Sequence, residues 1–277
     1  MRMLTTEKAS PSSPWLGDFC KLFTSLAVFV FVVFSITRVT AEPVKVQIGI
    51  THFPPFYVVN DGIPHSGLGI DLITAMNDIQ SGYHFSTVET SARRRHLMFQ
   101  KGDYDVSLFD HLEWGWDSTQ VEATRQYLQG GERYITLAGS DITPAYFEDL
   151  TGKKIGAILG YHYKFTNYET DPAALDQKFN ISLVTRQMQI LKMVLSKRVE
   201  IGVMTESFLE YYFQSHQDMR SVLLISEHYD QRYSFVGIAR RKGPISAAKL
   251  EEILFSLFRD ERYSWIAEKY GVKWEKP

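Results

Sequence analysis

Acids, histidines and aromatic rings gather at a few places in this chain. Phe53, Phe56 and Tyr57 surround a Pro-Pro pair; Asp110, His111, Glu113, Trp114, Trp116 and Asp117 lie in one short loop; Tyr161, His162 and Tyr163 follow Gly160; and Glu206 ends an apolar run. Arg93, Arg94 and Arg95 form a basic run between the first two groups. Rings beside carboxylates suit small polar or cationic groups, because a cation over a ring contributes about 0.5 to 2 kcal/mol. Catalysis asks for more, an acid or base such as His52, His111, His162 or Glu206 set against a reacting group. No nucleophile constellation or glycine-rich phosphate loop accompanies them, and no two histidines stand at helical metal-ligand spacing with an acid partner. The expectation is binding, not chemistry, with neither metal nor cofactor.

These groups need elements to hold them. Val44, Val46, Ile48 and Ile50 alternate with period two, which predicts a half-buried strand ending at His52 or Phe53, since Pro54 and Pro55 cannot donate to a ladder. Asn60, Asp61 and Gly62 predict a turn, and Leu72, Ile73, Met76 and Ile79 a helix. A strand at 85–88, a helix at 91–101 capped by Ser91 and a strand at 105–109 complete a β-α-β-α-β series. Such a series implies a parallel sheet with helices on its faces, a fold of class α/β. After a strand at 134–138 the pattern resets near 140. Strands at 155–159, 181–184, 201–204, 222–225 and 233–239 alternate with helices at 144–150, 187–195 and 207–214, and helices at 245–259 and 263–270 close the chain. Two α/β lobes are the economical reading.

The N-terminus reads differently. The apolar run 22–36 follows Lys21 and precedes Val39, Thr40 and Ala41, a small-residue cleavage pattern, so residues 1–41 are expected to form a signal peptide cut after Ala41. Its removal takes away four basic residues (Arg2, Lys8, Lys21, Arg38) and two acidic ones (Glu7, Asp18), moving the formal charge from −2 to −4. It also takes the sole cysteine, Cys20, so a periplasmic protein without disulfides must rely on its apolar core. Nothing in the charge pattern calls for nucleic acid.

Five segments carry a family resemblance: IGITHFPPFYVVNDGIPHSGLGIDLITAMN, KGDYDVSLF, DLTGKKIGAILGYHY, VEIGVMTES and the closing FVGIARRKGPISAAKLEEILFSLFRDERYSWIAEKYG. In this order they resemble the bacterial extracellular solute-binding proteins of family 3, the amino-acid-binding type. The resemblance implies a periplasmic-binding-protein-like clamshell of type II with two hinge crossovers. Lobe 1 would be 42–137 with 238–277, lobe 2 would be 138–237, and the hinge strands would be 134–140 and 233–239. It further implies a monomer that takes a small solute between its lobes, an amino-acid-like molecule or an amine, for uptake through an ABC permease.

Four loops hold the ligand in that family. Carried over residue by residue, they nominate Phe53, Phe56 and Tyr57; then Asp110, His111 and Trp114; then Tyr161 and Tyr163; then Glu206, where a carboxylate commonly pairs with a ligand amino group. The arginine that clamps the ligand carboxylate in amino-acid binders is missing from 110–117, and among the arginines at a helix start Arg93 is the substitute put forward. Acids and rings together favour an amine over a dicarboxylate. Two rival readings share the clamshell: a sensor reporting to a membrane receptor, and a dehydratase-type enzyme.

Overall fold

The computed structural model describes residues 42–59 and 65–275. The expected signal peptide and the turn at 60–62 lie outside the described residues. Strand β1 (Val44–Ile50) buries Val46, Ile48 and Ile50 completely and turns Lys45 and Gln47 outward, as its alternation requires. It pairs in parallel with β2 (Tyr83–Glu89) on one side and β3 (Val106–Asp110) on the other. Helix α1 (Leu68–Ile79) and helix α2 (Arg95–Lys101) make the crossovers.

Beyond β4 (Val121–Ala123) the chain enters β5 (Leu128–Leu137), then β6 (Ile155–Ile158), helix α3 (Pro172–Lys178), β7 (Ile181–Val184), helix α4 (Gln187–Leu195), β8 (Ile201–Thr205), helix α5 (Glu206–Ser215) and the short helix α6 (Met219–Val222). It returns along β9 (Leu223–Arg240) and closes with α7 (Ala247–Arg259) and α8 (Ser264–Tyr270). The strand order is β2-β1-β3-β9-β5-β8-β6-β7, with β4 on β9. One half is parallel around β1, the other parallel around β6, and the antiparallel pair β5 and β9 runs through both.

Each half has its own apolar core. The larger packs β1, β3 and α1 against α7, which buries Leu250, Ile253, Leu254, Phe255 and Leu257, each side chain contributing about 1.5 to 3 kcal/mol. Ser246 caps α7 by accepting from the Lys249 amide at 3.2 Å. The second core sets Ile190, Leu191 and Val194 of α4 and Phe208, Leu209 and Phe213 of α5 against the β5–β8 pair.

Three expectations are corrected. Helix α2 starts at Arg95, not at 91: the amides of Arg94 and Arg95 both donate to the Ser91 carbonyl in a turn, and the Ser91 side chain caps nothing. The strands expected at 222–225 and 233–239 are one strand, β9. Its polar middle reads as a loop, yet Ser226, Asp230 and Gln231 are buried and bonded: Ser226 Oγ accepts from the Tyr134 amide, and Asp230 accepts from Tyr134 Oη at 2.6 Å and from the amides of Lys164 and Phe165. The strand expected at 134–138 likewise begins earlier, at Leu128, because Gly130 and Gly131 leave room for the rings of Tyr233 and Tyr229 on the paired strand.

Candidate functional site

Between the two halves lies a small cavity lined by Thr51, Phe53, Ala92, Arg95, Phe109, Trp114, Glu132, Tyr161 and His162. Its residues follow β1, precede or open α2, end β3, sit mid-way along β5 and follow β6. Water-sized molecules have ≈ 40 Å³ of space in it, on the order of three waters. The walls are rings, with Trp114 edge-on to Tyr233 at 4.6 Å and Phe53 edge-on to Tyr161 at 6.1 Å across the gap.

The polar atoms are unevenly served. Among the described residues six buried side-chain polar atoms have no partner, and three of them, Trp114 Nε1, Glu132 Oε2 and His162 Nδ1, belong to residues of this cavity. Buried polar groups are normally hydrogen-bonded, so three orphans around one space single it out as the candidate site. Glu132 is 2% exposed and its other oxygen accepts from Tyr233 Oη, at 3.2 Å. Burial, reinforced by the charge of Asp230, pushes its carboxyl well above the usual carboxylate range. Arg95 also faces the cavity, but its charge is already matched: Nη2 donates to the Trp114 carbonyl at 3.2 Å and lies 3.9 Å from Asp110.

The walls meet at backbone distance. A Cβ on Gly115 would stand 3.2 Å from His162 Nε2, and one on Gly160 would stand 2.9 Å from the Arg93 amide. Both glycines hold positive φ, 81° and 83°. Gln231 donates its side-chain amide to the His162 carbonyl, fixing that loop to β9. His96 and His162 face each other with ring centroids 6.3 Å apart. Desolvation and the nearby Arg95 charge hold both at about 4, so both are neutral at pH 7.

Of the residues the sequence nominates, Phe53, Trp114 and Tyr161 line the cavity. Phe56 and Tyr57 lie in the larger core, their rings 4.5 and 5.8 Å from that of Phe109. Arg93 is exposed on an open groove with Arg94 and Arg186, and the arginine turned into the cavity is Arg95. Asp110 is a hub: it accepts from Ser107 Oγ, the His111 amide and Trp116 Nε1, each at 2.9 Å. His111 donates Nδ1 to the Ser234 carbonyl at 3.0 Å and faces a different groove. Tyr163 is 1% exposed, its hydroxyl accepting from the Ile158 amide. Glu206 is absent from the lining and pairs with Arg133 at 3.0 Å and Tyr229 Oη at 2.7 Å. No group of three or more possible metal ligands occurs among the described residues.

No protein-family model and no curated protein matches the sequence. Solved structures do. The substrate-binding protein of an ABC uptake transporter from Streptococcus pneumoniae, with histidine bound, superposes with a TM-score of 0.65 at 19% identity, over 82% of this chain and 92% of its own. An ancestral arginine-binding protein bound to arginine gives 0.64 at 20% identity, over 83% and 99%. An ancestral amino acid-binding protein, the precursor of cyclohexadienyl dehydratase, gives 0.63 at 18% identity, over 82% and 95%. This chain has the two-lobed fold of these binding proteins.

Glu132, His162 and Arg95 are the ionisable lining residues that a residue-by-residue carry-over does not select, along with Thr51, Ala92 and Phe109. Glu132 had one visible signal, an acid embedded behind two glycines in a run that otherwise turns apolar.

Proposed function

We propose that this protein captures a small polar solute between two lobes and delivers it to an ABC-type membrane permease. Lobe 1 is then 42–137 with 238–277 and lobe 2 is 138–237, with β5 and β9 as the strands through which the lobes close. Residues 1–41 direct export to the periplasm and are removed after Ala41. The observation that carries this reading is the cavity between the halves, where three buried polar atoms wait without partners behind aromatic walls. Ligand pockets are typically such spaces, mostly apolar with a few converging polar groups. The matching fold of a histidine-bound substrate-binding protein and an arginine-bound ancestral binding protein supports it.

The ligand-contacting set we propose is Phe53, Arg95, Trp114, Glu132, Tyr161 and His162. Thermal-shift screening of the exported protein against amino acids, amines, sugars and carboxylates tests it, since a solute at about 100 times its dissociation constant adds roughly 2.7 kcal/mol. A raised midpoint with one class, lost on Tyr161→Ala, is the expected result. Absence of any shift across all classes contradicts solute capture, and turnover of the best hit would replace binding by catalysis.

A further inference from the structure

We propose that the cavity takes a small organic monocation, its ammonium group seated on Glu132 and a neutral acceptor, a hydroxyl or amide oxygen, turned toward Trp114 and Arg95. This rests on reading the cavity as the solute site, and it adds the class of solute. The argument is one of charge and size. Arg95 and Asp110 neutralise one another at 3.9 Å, and Asp110 is saturated by three further donors. That leaves Glu132 as the cavity acid with a free oxygen and no cation of its own. A carboxylate so placed needs a counter-charge brought from outside, because a buried unpaired charge is strongly unfavourable. A monocation supplies it and leaves the site neutral, whereas a zwitterion would add a second negative charge beside Asp110. Trp114 Nε1 is a donor only, so it calls for an acceptor on the solute. The space, on the order of three waters, suits a solute of a few non-hydrogen atoms.

Binding is coupled to a proton. Glu132 faces Tyr233, Gln231 and Asp230 of β9, Tyr161 and Tyr163 of the loop after β6, and the already paired Arg95; burial and the Asp230 charge outweigh the hydrogen bonds that favour its ionised form. With burial holding the empty carboxyl protonated well above its ordinary range, arrival of an ammonium group ionises it. The O–H proton passes to the buffer, and affinity rises with pH until the empty carboxyl itself ionises.

The test is calorimetric titration of the exported protein with four probes of similar length: 3-aminopropanol, β-alanine, 1,3-propanediol and 3-hydroxypropionate. The expected order puts 3-aminopropanol at least tenfold ahead of β-alanine, with the diol and the anion weaker still. Repeating the titration at pH 6 in buffers of different ionisation heat should show proton release on binding. Glu132→Gln should cost at least tenfold in 3-aminopropanol affinity and abolish that release, while the circular dichroism and unfolding midpoint of the empty variant report that it is folded. Proton-neutral binding of the amine to the wild-type protein overturns the proton coupling, and β-alanine or 3-hydroxypropionate binding as tightly as 3-aminopropanol overturns the monocation. So does tight binding of any non-amine from a broader solute panel that Glu132→Gln leaves unchanged, and in that case solute capture stands. If neither the four probes nor that panel binds, solute capture falls together with its ligand class.

Discussion

Glu132 and Arg133 are neighbours on β5 that serve opposite sides of the sheet. Glu132 faces the cavity, buried and half-partnered; Arg133 faces outward and meets Glu206, the Tyr229 ring at 3.8 Å and the carbonyls of Ser226 and Glu227. A bulge in the β5–β9 ladder falls between them. One acid of the pair Glu132 and Glu206 is therefore buried and without a cation of its own, and the other is 39% exposed with its Oε1 held by Arg133 and Tyr229. The difference teaches that an acid in the expected place is a weaker candidate when a cation of the chain already holds it. Stability favours the ion-paired acid, and capture of a cationic group requires the one without a cation.

The largest effect that tests this contrast should come from Asp110→Ala. It strands Arg95, Trp116 Nε1 and the His111 amide in a buried place, and breaking such a network costs about 3 to 5 kcal/mol. Urea unfolding should show that loss; a variant as stable as the parent would return Asp110 to the list of free ligand acids. Next in size is acid. His96 and His162 stay neutral in the folded chain down to about 4, whereas the unfolded chain takes up their protons near 6.5. The unfolded state then binds more protons throughout that window, so stability is present above about 6.5 and falls as pH drops toward 4. Melting curves in that window should record the decline, and His162→Gln should flatten it.

Glu132→Gln should raise the melting midpoint of the empty protein above pH 7. A carboxyl held above its ordinary range gives the native state the extra proton, so the native state loses stability as pH climbs from the ordinary carboxylate value, and glutamine removes that loss. The gap between variant and parent midpoints should widen as pH rises above the ordinary carboxylate range. Glu206→Gln should move the midpoint least, by less than about 1 kcal/mol, as befits a partly exposed ion pair. If the two glutamates exchanged these effects, the contrast between them would be lost.

Much of the fold was legible because it follows from periodicity. Ile181–Val184 and Gln187–Leu195 match their expected bounds, and the parallel β1–β2–β3 group stands as the β-α-β-α-β series requires. The continuous β9 was not, since Asp230 and Gln231 look like loop residues until Tyr134 and the Lys164 and Phe165 amides are seen to bond the carboxylate. At the site, Phe53, Trp114 and Tyr161 were legible as rings at strand exits. Arg95 was hidden among three consecutive arginines, because only the turn at 91–94 decides which one the cavity receives. Glu132 was hidden by position: it lies within a strand, where pattern reading looks for core, and its role depends on partners it does not have.

The most direct measurement is a pair of titrations with the solute that gives the largest thermal shift, one on Glu132→Gln and one on Glu206→Gln. Tenfold or greater weakening at Glu132 with less than twofold change at Glu206 is the predicted result. Unchanged affinity at Glu132, or a larger loss at Glu206, would contradict the assignment of the cavity as the solute site.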